Sequence, residues 1–170
     1  RPLPKIFRMT KGGKLNEGIF KGETINTPSM LCVEDYLDAL AWSKSLGGKT
    51  GLFARADKNF AVLDAWVERT PWVANLAVDP KTRSNTSVCL IIVDPTVANL
   101  PADAQAAFAK ALVSRLDKEG VAYDIGAYRD APAGLRIWAG ATVEASDLEA
   151  LTTWLDWAFE VEKAELSKAA

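Results

Sequence analysis

At Pro71 the spacing of the apolar residues changes period, and that change restricts the chain to architectures joining helices to a sheet. Before it, Leu52, Phe53, Ala56, Phe60, Leu63, Trp66 and Val67 fall on one helical stripe, with Arg55, Lys58 and Glu68 opposite and Thr70-Pro71 as the stop. After it, residues 72–78, 87–93, 123–128 and 135–138 are short, rich in β-branched and aromatic side chains, and bounded by Asp-Pro or Pro-Ala-Gly turns. They predict four strands. Between the second and third lies an Ala-rich helix over about 101–118, with Ala109, Leu112, Val113 and Leu116 on its face and Gly120 as its stop. Ser146-Asp147-Leu148-Glu149 reads as a capping box opening a last helix, on which Leu148, Leu151, Leu155, Ala158 and Glu162 share a line, with Trp154 and Trp157 beside it.

One further helix comes first. Leu31, Cys32, Tyr36, Leu37, Leu40 and Ala41 recur at helical spacing over about 28–46, and Gly47-Gly48 supply a left-handed stop. The order of elements predicts an α+β fold: a small, mainly antiparallel sheet of about four strands with helices on one face, preceded by a long loop and a linking helix. The break at Gly47-Gly48-Lys49 divides the chain into residues 1–48, the linking part, and residues 49–170, a small domain. Residues 1–26 hold scattered Pro, Gly and Lys with little periodicity beyond Ile6-Phe7 and Ile19-Phe20. So long a connection is expected to lie on a body outside this sequence or on a second subunit. The opening Arg1-Pro2-Leu3-Pro4 resembles neither a helix nor a strand start and reads as cut from something longer. Lys11-Gly12-Gly13-Lys14 misses the spacing of a phosphate loop and predicts a turn.

Composition limits the chemistry. Across 170 residues there is no histidine, which removes the commonest general base and metal ligand together. The formal net charge of −2, with both signs interspersed, offers no basic face to nucleic acid or to an anionic membrane. No apolar run is long enough to span a bilayer and no secretory signal opens the chain. Cys32 and Cys89 lie in apolar runs without metal-ligand spacing, predicting buried thiols in a reducing compartment, most simply the cytoplasm.

Two regions could bind anions. In Gly22-Glu23-Thr24-Ile25-Asn26-Thr27-Pro28-Ser29, Thr27 is placed as an N-cap and Pro28 as a first helical residue, so free amides and the positive helix end would face outward. A plain helix cap and a phosphate seat both fit this stretch. Arg136, between Leu135 and Ile137 on a short strand, needs an anionic partner, whether an internal carboxylate or a ligand's. Arg129, beside Asp130, could pair with it or meet a ligand. Arg83-Ser84-Asn85 reads as turn chemistry, and Glu34-Asp35 as a solvated face.

Three blocks carry a resemblance. They are Gly18-Ile19-Phe20 through Ile25-Asn26-Thr27-Pro28-Ser29-Met30 with Glu34-Asp35-Tyr36, then Thr82-Arg83-Ser84-Asn85-Thr86-Ser87, then Tyr123-Asp124-Ile125-Gly126-Ala127-Tyr128-Arg129 with Gly134-Leu135-Arg136-Ile137-Trp138-Ala139-Gly140. In these the chain resembles the C-terminal part of the phosphoserine aminotransferase family, of class V and fold type I, in a form like that of alphaproteobacteria. The resemblance implies pyridoxal 5'-phosphate as cofactor, a homodimer, and small-molecule substrates of the phosphoserine and 2-oxoglutarate type. It implies that residues 1–48 end a large cofactor-binding domain. Asn26 and Thr27 would reach the cofactor phosphate of the other subunit, Arg136 the substrate α-carboxylate, and Arg129 the substrate phosphate. Tyr128-Arg129 stands where some members have His-Arg. The family's cofactor-bonding lysine falls upstream of the resemblance, and Lys5, Lys11, Lys14 and Lys21 do not match its segment, so the chain alone is expected to be inactive. Two rivals remain: another class V transaminase, of the alanine or serine–glyoxylate or pyruvate type, and a stand-alone α+β carboxylate-binding module.

Overall fold

The computed structural model describes Pro4 and residues 7–169, and the chain divides into two compact units, Arg1–Leu46 and Gly47–Ala170. The readings that rest on Arg1, Pro2, Leu3, Lys5 and Ile6 lie outside the described residues.

In the first unit, β1 (Thr10–Lys11) and β2 (Lys14–Leu15) form an antiparallel hairpin. Gly12 and Gly13 turn it at φ 59° and 75°, a backbone that two consecutive glycines adopt without steric cost. The expected turn is there, within a segment that carries more local structure than its lack of periodicity implied, since a short 3-10 turn at Glu17–Lys21 follows. Helix α1 (Met30–Ser45) begins later than expected. Its cap is Ser29, whose hydroxyl accepts from the Cys32 amide at 3.4 Å, so Thr27 is not the cap and Pro28 precedes the helix. A residue before proline is held out of the helical region, and here Ser29 also stays extended, which moves the first turn onward. No residue of α1 is buried, and Cys32 is exposed. The expected buried thiol is therefore absent at Cys32, because the apolar side chains around it are themselves uncovered; Cys89 is half-buried.

The second unit opens with α2 (Gly48–Arg69), which buries Ala56, Asn59, Leu63 and Trp66. Phe53, expected on that stripe, is 59% exposed. Strands β3 (Val73–Asn75), β4 (Ser87–Ile92) and β5 (Gly134–Trp138) form one antiparallel sheet in the order β3-β4-β5. A one-turn helix α3 (Pro95–Ala98) leads into α4 (Ala102–Lys118), and α5 (Ala145–Ala169) closes the chain. The α+β class with a small antiparallel sheet holds, but residues 123–128 are not its fourth strand. That segment turns through Asp124 at φ 53° and meets β5 as a single bridge, Gly126 to Leu135. The last helix starts at Ala145, and the Glu144 carbonyl accepts from the Asp147 and Leu148 amides, so Ser146 lies inside the first turn rather than capping it.

One core joins these elements. Leu63 and Trp66 of α2, Phe108, Leu112 and Leu116 of α4, and Leu148, Leu155 and Phe159 of α5 pack on Val88, Leu90, Leu135 and Ile137 of the sheet. Trp72 stacks on Phe159 at 4.4 Å and meets Trp66 edge-on at 5.5 Å. Both indoles donate to the Asp156 carboxylate, which satisfies the polar atoms of two buried rings at once. At the margins, α5 is tied to its neighbours by Arg115 Nε to Glu162 (2.6 Å) and Lys163 to Asp94 (2.8 Å).

Burial alone would push the Asp94 carboxyl up, but hydrogen bonds from Lys163 and Thr96 prevail and hold it below the usual carboxylate range. A carboxyl lowered by folding contributes stability above its unfolded pKa, about 4, and that contribution is lost as pH falls through the lowered value. The Asp94→Asn variant, which keeps a capping oxygen, is therefore expected to melt below the parent at neutral pH. The gap should narrow on acidification below about pH 4, as read by thermal unfolding across a pH series.

Candidate functional site

Alternation along β5 puts Leu135 and Ile137 into the core and turns Arg136 to the other face, opposite Cys89 of β4. The 123–128 segment is fixed beside it: the Arg136 amide donates to the Ile125 carbonyl at 2.8 Å, and the Ala127 amide to the Gly134 carbonyl at 3.3 Å. The guanidinium is half-buried, at 32% exposure, and its Nη2 donates to Asp124 Oδ2 at 3.1 Å. Of the partners open to Arg136 from sequence, an internal carboxylate is thus present, though on a residue that is 90% exposed. The pair borders a cleft of about 560 Å³ lined by Ser87, Trp138, Asp147 and Leu151 among others.

Tyr128 links Arg136 to Arg129. The Arg136 guanidinium carbon stands 6.0 Å from the Tyr128 ring centre and that of Arg129 5.5 Å from it, which bounds their separation at about 12 Å. Among the described residues Arg129 forms no ion pair, so the expected pairing with Asp130 is not made. Arg129 lines a second cleft of about 310 Å³ with Lys110, Tyr128 and Gly134, and no acidic side chain borders it among the described residues. The structure thus places both arginines beside Tyr128, each bordering a different cleft. Asn26 and Thr27 belong to the other unit, exposed and irregular just before the Ser29 cap. No hydrogen bond among the described residues engages either side chain. An uncommitted amide and hydroxyl are a donor set that suits a phosphate.

Other polar residues are committed to the fold. Arg83 donates to the Ala77 carbonyl and pairs with Asp64, Ser84 accepts from the Ser87 amide within the same turn, and Asn85 donates to Asp57 of α2. Arg55, expected on a solvated face, instead reaches the Ala141 and Val143 carbonyls and Glu144, and Asn59 donates to Gly140 and Val143. Together they clamp the turn that follows β5. The sequence held one sign of this: Asn59 interrupts the apolar stripe of α2 at a core position. Glu34 and Asp35 are exposed, as expected. Among the described residues no cluster of metal-ligating side chains forms, and no helix is long and apolar enough to cross a membrane.

No protein-family model matches the chain. Phosphoserine aminotransferases of Methanosarcina mazei and Methanosarcina barkeri are each 51% identical to it over 162 residues, 95% of the chain and 41% of theirs. The chain is a homologue of the phosphoserine aminotransferases. It spans about two-fifths of the length of these relatives. A Nocardioides phosphoserine aminotransferase is 28% identical over 81% of this chain and 34% of its own length. The fold agrees. The solved phosphoserine aminotransferase of Bacillus circulans subsp. alkalophilus superposes at TM-score 0.66 with 18% identity, covering 80% of this chain and 34% of that one. A phosphoserine aminotransferase solved in connection with radiation damage of its Schiff base superposes at 0.68 with 15% identity, covering 86% and 38%.

Gly134 sets the approach of β5 to β4. A β-carbon built there would fall inside contact distance of the Leu90 carbonyl oxygen. Gly134→Ala is therefore expected to destabilise the second unit by roughly 1–3 kcal/mol, the usual cost of forcing an extra carbon into a closed backbone contact. Urea unfolding of the variant against its parent measures this.

Proposed function

We propose that this chain is the C-terminal portion of a phosphoserine transaminase, an enzyme of serine biosynthesis. It would interconvert O-phosphoserine and 2-oxoglutarate with 3-phosphohydroxypyruvate and glutamate. The observation that carries the reading is the pair of cations about Tyr128, in a homologue of enzymes so named. A substrate bearing a carboxylate at one end and a phosphate at the other needs two cationic grips within the span of one small molecule. Arg136 takes the α-carboxylate with its planar fork. Arg129 takes the phosphate, in a cleft where Lys110 adds a second positive charge and, among the described residues, no acidic side chain forms part of the lining.

The cofactor of this reading is pyridoxal 5'-phosphate, which when bound supplies the electron sink that lets an amino group move between carbon skeletons. Asn26 and Thr27 would hold its phosphate, the amide and the hydroxyl both donating, from the neighbouring subunit of a cytoplasmic homodimer. The cofactor-bonding lysine lies outside this chain, which by itself would not transaminate. A transaminase acting on pyruvate or glyoxylate requires no phosphate grip, and Arg129 favours the phosphorylated substrate over it.

The test uses the full-length enzyme that contains this chain. Turnover of phosphohydroxypyruvate is expected to exceed that of pyruvate, and equal rates on the two would overturn the assignment. Arg136→Ala should lower kcat/KM by roughly 2–3 kcal/mol, the worth of a charge-assisted hydrogen-bonded contact, which is a loss of about 30- to 150-fold. Asn26→Ala should leave the fold intact and reduce the fraction of protein that retains cofactor after dialysis, read by absorbance. Occupancy equal to the parent's would remove Asn26 from the phosphate site.

A further inference from the structure

The half-buried arginines of the second unit differ in how fully they are satisfied. Arg55 has two carbonyls and Glu144, Arg83 a carbonyl and Asp64, and Arg115 the carboxylates of Glu162 and Glu165. Arg136 has one acceptor among the described residues, a single contact from Nη2 to Asp124. The planar fork of a guanidinium suits two parallel hydrogen bonds, so a one-point pair leaves much of its donor capacity unspent.

The partner in that pair is also unusual. Asp124 stands at φ 53°, a left-handed backbone that few side chains tolerate and that Asp and Asn tolerate best after glycine. Its place is held by the backbone that follows it, because the next carbonyl, that of Ile125, accepts from the Arg136 amide at 2.8 Å. The ion pair is not what holds the segment. Its carboxylate is 90% exposed, and an ion pair so placed is weak, so it can open without disturbing β5 or the core.

We propose that Asp124 is a built-in competitor for the substrate carboxylate: a positioning residue that keeps the Arg136 fork aimed into the cleft and yields it when the substrate arrives. The proposal rests on the carboxylate role given to Arg136 above. Asp124 gives the arginine an interim anion, and its own carboxylate returns to water when displaced. The exchange trades one carboxylate for another on the same cation, with no proton moved. Its consequence is an affinity below what Arg136 could otherwise provide, together with faster release of product.

The test is inhibition of the full-length enzyme by glutarate, a dicarboxylate that carries no group to transfer. In Asp124→Asn, which keeps a residue suited to the left-handed backbone, the glutarate inhibition constant is expected to fall roughly two- to fivefold, as for removal of a weak exposed pair. KM for the amino-acid substrate should fall in step while kcat does not rise. In an Arg136→Ala background the same substitution should have no such effect. If Arg136→Ala weakens glutarate binding but Asp124→Asn leaves it unchanged or weakens it too, Asp124 is no competitor and the role of Arg136 stands. If Arg136→Ala leaves glutarate binding unchanged, the carboxylate role of Arg136 fails, and the role of Asp124 fails with it.

Discussion

The register between β4 and β5 is the constraint on which the candidate site depends. Cys89 faces Arg136, Leu90 faces Leu135, and Val88 faces Ile137, so the strand faces shared by Val88, Leu90, Leu135 and Ile137 enter the core together. A slip by one residue would carry the Arg136 guanidinium into that core and expose two aliphatic side chains, a change no small antiparallel sheet could absorb. Gly134 adds to the restriction, since β5 enters where only a residue without a β-carbon clears the Leu90 carbonyl. The same pairing that buries Leu135 and Ile137 therefore aims Arg136 outward, toward Asp124 and Tyr128. Stability and site geometry share one cause.

Helix α5 makes that register affordable by covering the sheet. Leu148, Leu155, Ala158 and Phe159 are almost wholly buried, and Phe159 stacks on Trp72, which lies just before β3. Its polar anchors sit at the edge of this apolar strip: Asp156 takes the two indoles, Glu162 takes Arg115, and Lys163 takes Asp94. Asp156 and Glu162 accept from donors and Lys163 donates to a carboxylate, and leaving such a group unpaired costs more than the net gain of an ordinary hydrogen bond. The anchors thus fix where α5 lies, while the aliphatic and aromatic burial supplies most of the driving force.

What could be read from sequence follows the same division. Periodicity located α2, α4 and α5 to within a few residues, because each has a face that a single core must cover. It failed where backbone rather than side-chain pattern decides. Residues 123–128 have strand composition, yet Asp124 takes a left-handed turn there, and composition does not reveal a φ of 53° at a non-glycine. Thr27, Pro28 and Ser29 are all plausible around a helix start, and the choice of Ser29 turns on one hydroxyl reaching the Cys32 amide. Arg129 and Arg136 were legible as candidates, but their sharing of Tyr128 and the Asp124 partner were not, since those depend on how the loop folds back along β5.

The two units differ in self-sufficiency, and this bears on where the proposed chemistry can be complete. The second owns a core and organises Arg129 and Arg136 with its own backbone. The first buries nothing along α1, where Leu31, Leu37 and Leu40 are 72%, 51% and 47% exposed. Each such leucine forgoes roughly 1.5–3 kcal/mol that full burial would return. Asn26 and Thr27 precede that uncovered helix, on an exposed and irregular segment. A phosphate grip built there gains precision only when α1 is covered. Under the proposed reading the cover belongs to the remainder of a longer enzyme, and the two arginines can be pre-organised before it is in place, whereas the phosphate seat cannot.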